Sequence, residues 1–278
     1  MAEPISGLDA RGPSILLLHG QPGMAADWDQ VIARLGGRGR GRGCGRPREI
    51  IAFDRPGWDG RSRARDLEGN ARAALTVLDA HGVDQAIVAG HSLGAAIAAW
   101  LAALHPDRMR ALVLIAPAAN LASLYPIDYW LAASRVGELV SVLSLGGLGL
   151  ALSPAPLRRQ IAHATGIDAA YLQAARRVLL SPAAWRAYAA EQRALIRDLS
   201  TLEHRLGEIA VPTTILIGTE DRIVPARAAR MLAAQVPGAR LEMCPRAGHL
   251  LPQRHPNAVA AAIRATLHAG PASNLGSR

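Results

Sequence analysis

The chain has 278 residues, half of them hydrophobic, and a formal net charge of +9. That size and apolar content bury a substantial core, which excludes a disordered chain and fits one large domain or a domain with one insertion. Two cysteines, Cys44 and Cys244, are too sparse for a disulfide framework and suit a reducing cytoplasm, and the N-terminus, with Glu3 and Asp9, lacks the basic-then-apolar order of a secretory signal.

The first apolar run, 15–18, ends in His19-Gly20-Gln21-Pro22-Gly23, and an amphipathic stretch follows at 27–35. Residues 36–48, GGRGRGRGCGRPR, are basic and low in complexity. Arginine-glycine repeats bind single strands electrostatically, but no aromatic side chain interleaves this run to stack on bases. A solvated loop is therefore expected, and nucleic acid is not the expected partner. The chain contains no lysine at all, so its cations are arginines, a uniformity that reads as composition bias more than as a designed surface.

Apolar runs recur at 50–53, 86–89, 112–115 and 213–217, with a shorter strand-like segment at 240–243. Short continuous runs bounded by turns suit strands covered on both faces, hence parallel pairing. Helical stretches at 69–81, 93–104, 226–235 and 257–268 alternate with them, so the expected fold is α/β with a mostly parallel central sheet flanked by helices. The rhythm breaks after Ile115. From 117 to 206 the patterns are helical, at 129–142, 155–164, 169–180 and 183–199, which predicts a helical lid inserted between core segments 1–116 and 207–278. The lid begins at the carboxyl edge of the sheet, where ligands of open α/β folds bind. Within it, 139–152 is weakly polar, broken by serines and glycines and too short to span a bilayer, so it is expected as buried or lid structure.

Gly90-His91-Ser92-Leu93-Gly94 places a serine between two glycines at the junction of a strand and an alanine-rich helix. This is the pattern of a nucleophile elbow, in which a strained turn exposes the serine hydroxyl and the next amide opens a helix. A serine hydroxyl needs a base, and the base an orienting carboxylate, in the chain order serine, acid, histidine. Asp221, directly after the run at 213–217, is the candidate acid, with Glu220 displaced by one residue. His249 follows the last strand in a glycine-primed loop, whereas His255 and His268 flank the last helix and are expected at the surface. The turn after 15–18 can aim the amide of Gln21 at the site, and with the amide of Leu93 it would form a two-donor oxyanion hole. His19 is expected to hold that turn and not to react.

HGQPG, FDRPGWDGRS, GHSLG, GTEDRIVP and AGHLLP occur in an order that resembles the lid-bearing serine hydrolases of the α/β-hydrolase superfamily. The resemblance implies Ser92 as nucleophile, His249 as general base and acid, Asp221 as its orienting partner, and the amides of Gln21 and Leu93 as the oxyanion hole. Epoxide hydrolases and haloalkane dehalogenases of the superfamily use an aspartate, so a serine here implies an acyl-enzyme. No cofactor is implied, and no cluster with metal-ligand spacing stands out. The expected substrate is a small or medium apolar carboxylic ester. Carbon-carbon bond hydrolysis, lyase or perhydrolase chemistry share the same triad, and a non-catalytic binding protein using the basic loop is a third reading. Tyr125, Tyr129, Trp130, Tyr171 and Trp185 could line an apolar acyl pocket or pack the lid onto the core. Three departures from the family pattern stand out: little chain precedes HGQPG to make the first antiparallel strand pair, the turn at 54–62 holds one residue more than usual, and the basic loop before that turn reads as an insertion.

Overall fold

A computed structural model describes residues 12–36 and 49–268, so the basic loop beyond Gly36 and both chain ends lie outside the described residues. Six strands form one sheet: β1 (Ser14–Leu18), β2 (Ile50–Ala52), β3 (Ala86–His91), β4 (Met109–Ile115), β5 (Thr213–Gly218) and β6 (Arg240–Cys244). The order is β2-β1-β3-β4-β5-β6, and each adjacent pair is parallel. β1, β3 and β5 are buried along their whole length, as continuous apolar strands covered on both faces must be. Among the described residues the sheet contains no antiparallel pair.

The covering helices are α1 (Asp29–Leu35), α2 (Leu67–Ala80), α3 (Leu93–Leu104), α9 (Ala226–Gln235), the short α10 (Leu251–Arg254) and α11 (Pro256–His268). α1 packs on α11 and α2 on α3. Between β4 and β5 run five further helices, α4 (Pro126–Ala133), α5 (Arg135–Ala151), α6 (Ala155–Thr165), α7 (Ala169–Leu179) and α8 (Pro182–Arg205). Leu152, Ile167, Leu172 and Leu179 form a small core inside this insertion. α8 is different, because its Leu195, Leu199 and Leu202 join the main core beneath.

The stretch expected as one helix at 129–142 is two. The Ser134 hydroxyl donates to the Trp130 carbonyl and accepts from the Gly137 amide, closing α4 and opening α5 at an angle of 103°. No single helix among the described residues is long and apolar enough to cross a membrane. The segment 139–152 belongs to the insertion but is mostly not buried, because α5 turns its small residues inward. Gly149 lies so close to Leu180 that a Cβ there would stand 2.8 Å from its Cγ, while Val136, Leu139, Leu143 and Leu150 face solvent. A helix held by its glycines leaves its leucines outside. Leu143→Gln is therefore expected to change stability by less than about 0.5 kcal/mol, whereas Leu199→Ala, in the main core, should cost about 2–5 kcal/mol in urea unfolding.

Candidate active site

Ser92 caps α3 at the end of β3, with φ 54 and ψ −118. For a serine this backbone region costs about 1–3 kcal/mol and persists only where the surroundings enforce it. Enforcement comes from both sides, since the Ser92 amide donates to the Ile115 carbonyl at 2.9 Å and its carbonyl accepts from the amides of Ala95 and Ala118. The turn after β1 lies alongside. A Cβ on Gly20 would stand 3.0 Å from the Ser92 Cβ and 3.2 Å from His91 Nδ1, so glycine permits that approach.

Asp221 follows β5 with its carboxylate fully divided. Oδ1 accepts from the amides of Ile223 and Val224, both at 2.9 Å, and Oδ2 accepts from His249 Nδ1 at 2.8 Å. A carboxylate acceptor at Nδ1 favours the tautomer that carries its proton there, which leaves the Nε2 lone pair of the neutral ring unprotonated. Glu220 is exposed, and its amide donates to the Ala247 carbonyl. His255 is half-buried between α10 and α11, and the side chain of His268 lies outside the described residues.

Three groups that sequence reasoning passed over support this arrangement. His91 is buried, donates from Nε2 to the His249 carbonyl at 2.9 Å, and packs its ring 4.9 Å from the His249 ring. Burial, with the neighbouring His249, drives its pKa down to about 3. Between about pH 3 and 6.5 the unfolded chain therefore binds a proton at His91 that the folded chain refuses, so the stability it contributes is present above pH 6.5 and lost as pH falls. Wild type should lose stability relative to His91→Gln, which keeps an N–H donor, by about 1.4 kcal/mol per pH unit from pH 6 to 4 in urea titrations.

Arg55 and Glu191 form the second and third. Arg55 donates from its backbone amide to His19 Nε2, from Nε to the His19 carbonyl, and from Nη2 to the Gly20 carbonyl at 2.8 Å. His19 Nδ1 donates to the Gly20 carbonyl, so this ring is the structural clasp expected for the turn; burial, then Arg55, holds its pKa well below the ordinary range. The guanidinium pairs with Glu191 of α8, which also accepts from Trp58 Nε1 at 2.9 Å. In the turn at 54–62, Asp59 Oδ1 accepts from the amides of Arg61 and Ser62, and Trp58 is turned inward onto Glu191. Burial raises the Glu191 pKa, an effect Arg55 opposes. Next in sequence, Gln192 Oε1 accepts from Gln21 Nε2 at 2.6 Å. One visible signal existed for Glu191. It sits on the buried stripe of α8 with Ala184, Ala187, Ala194 and Leu195, where a charge needs a partner.

A six-stranded parallel sheet with a strained serine at the β3–α3 turn and an acid–histidine pair after β5 and β6 accords with the profile of the Alpha/beta hydrolase family, which matches residues 15–262. The chain belongs to the alpha/beta hydrolase family. Its similarity to named members of that family is moderate. The pimeloyl-[acyl-carrier protein] methyl ester esterase of Neisseria meningitidis is 31% identical over 220 residues, covering 77% of this chain and 81% of that protein. The 2-hydroxy-6-oxo-6-phenylhexa-2,4-dienoate hydrolase of Burkholderia cepacia is 26% identical, covering 89% and 85%. Epoxide hydrolase B of Mycobacterium tuberculosis is 36% identical over 114 residues, but the match spans only 29% of its length and 38% of this chain. Among solved structures, a thermophilic esterase from Thermogutta terrifontis superposes with a TM-score of 0.71 at 23% identity, over 93% of this chain and 92% of that one, which shows a shared fold.

The aromatics of the alpha/beta hydrolase insertion divide. Tyr129 and Trp130 are more than 40% exposed, Trp185 Nε1 donates to the Leu179 carbonyl within the insertion, and the Tyr171 hydroxyl donates to Asp27 of the core at 3.0 Å. Packing and polar bonding account for Trp185 and Tyr171.

Proposed function

We propose that the protein is a serine hydrolase that cleaves a small or medium apolar carboxylic ester, or a related acyl compound, through an acyl-enzyme on Ser92. The observation that carries this reading is the 2.8 Å bond from His249 Nδ1 to Asp221 Oδ2, made by two loops that meet at the edge of the sheet where the strained serine stands. In this mechanism Ser92 Oγ attacks the acyl carbon while His249 Nε2 takes its proton and later returns it to the leaving alcohol. Asp221 keeps the imidazole in the required tautomer and stabilises the imidazolium. The amides of Gln21 and Leu93 receive the developing oxyanion, each such donor being worth about 3 kcal/mol. Water then attacks the acyl-enzyme by the same route reversed. Residues 117–206 act as the lid over this chemistry, and the reaction calls on no cofactor. The matched length and identity of the Neisseria esterase support an ester as the class of substrate.

A second reading, carbon-carbon bond hydrolysis on the same triad, is favoured by the Burkholderia relative, whose match covers more of this chain. A panel of p-nitrophenyl esters, thioesters, lactones and a vinylogous diketone separates the two. The ester reading expects highest kcat/KM on short and medium esters, and exclusive turnover of the diketone would overturn it.

A further inference from the structure

A cavity of about 240 Å3, which Ser92 does not line, opens at the seam between core and insertion. Its polar wall holds three carboxyl groups, two amides and one phenol: Asp27, Asp29 and Gln30 from the core, Asp168 and Tyr171 at the start of α7, and Gln253 from α10. Ala26, Ile167 and Ala170 supply an apolar flank. Among the described residues no arginine lines it, in a chain whose basic residues outnumber its acids by 31 to 22.

Two of the donors in this wall, on Gln253 and Tyr171, are already committed. Gln253 Nε2 donates to the Tyr171 hydroxyl at 3.3 Å, and that hydroxyl donates to Asp27 Oδ1 at 3.0 Å. Acceptor capacity remains at the amide oxygen of Gln253. Gln253 is only 6% exposed, and its Oε1 is buried without a hydrogen-bond partner among the described residues, which costs about 1–3 kcal/mol until a donor arrives. Asp27, 4% exposed, sits at the other end of the same chain of bonds. A buried carboxylate and an unpaired amide oxygen, beside an apolar flank, complement a group that brings positive charge and N–H donors on a short hydrocarbon stem.

We propose that this cavity is a binding site for a small organic cation, an alkylammonium group whose nitrogen is held by Asp27 and Gln253. Bound there, the ligand would tie α7 of the insertion to the core, because its two holders come from the core and lean on Tyr171 of α7. The cation is either a free ligand or the distal end of a substrate, and the chemistry of recognition is the same.

Calorimetric titration of the full chain with n-butylammonium and with 1-butanol tests it. The measurement is made at pH 8, since burial pushes the Asp27 carboxyl up to about 7. The ammonium is expected to bind at least tenfold tighter than the alcohol, in wild type and equally in Ser92→Ala, so the result stands apart from the hydrolase reading. Asp27→Asn, which keeps an acceptor for Tyr171, should erase the preference, and Gln253→Leu should weaken it. Competitive inhibition of ester turnover would assign the cavity to the substrate's distal end, and binding without inhibition to a separate ligand. Equal affinity for ammonium and alcohol, no detectable binding of the ammonium, or a preference that survives Asp27→Asn overturns the proposal.

Discussion

Ser92→Ala is expected to abolish labelling by a fluorophosphonate probe and to lower kcat on p-nitrophenyl esters by about four orders of magnitude or more, without loss of the fold. The substitution removes one oxygen and adds no atom. Alanine at φ 54 meets the same backbone strain that serine does, and the bonds that hold the turn, from Ile115, Ala95 and Ala118, are all to backbone atoms that alanine retains. Circular dichroism and the urea midpoint should therefore match wild type while chemistry is lost. Labelling that persists at another residue would overturn the assignment of the nucleophile.

The second large effect falls on stability. Glu191→Leu leaves Arg55 charged and 1% exposed without its carboxylate, and breaking such a buried pair from one side costs about 3–5 kcal/mol. Arg55→Met should cost at least as much, because it also strips a donor from the carbonyls of both His19 and Gly20. A double variant, Arg55→Met with Glu191→Leu, should recover part of the loss, as no unpaired charge remains. If the single variants unfold within about 1 kcal/mol of wild type in urea, the pair is not the brace that its burial indicates.

Much of the fold was legible because its signals are local. The burial that makes β1, β3 and β5 apolar throughout also marks them in the sequence, and the helices of the core followed the predicted stretches within a few residues. Ser92, Asp221 and His249 were legible as an order along the chain, and the structure brings Asp221 onto His249 while placing Ser92 in the strained turn. What stayed hidden depends on partners far apart in sequence. Nothing near Arg55 announces Glu191, 136 residues later, and nothing near Asp27 announces Tyr171, 144 residues later. The division of the first insertion helix was hidden for the opposite reason. Its apolar pattern continues through Ser134, and only a hydroxyl bonded in both directions breaks it. The outward leucines of α5 were not legible, because period alone cannot say which of two faces, one small and one large, a neighbour will choose.

The elbow glycine Gly94 packs against the very strand that carries the turn after β1. A Cβ there would stand 2.2 Å from the Leu18 carbonyl oxygen and 2.6 Å from that of His19. The separation between the helix bearing the serine and the loop bearing Gln21 is thus a main-chain dimension, fixed like the throat of a calliper by two backbones in contact. Side-chain exchange elsewhere can retune what enters the site, but it cannot widen that gauge. Evolution of new specificities on this chain would be confined to the surfaces around it.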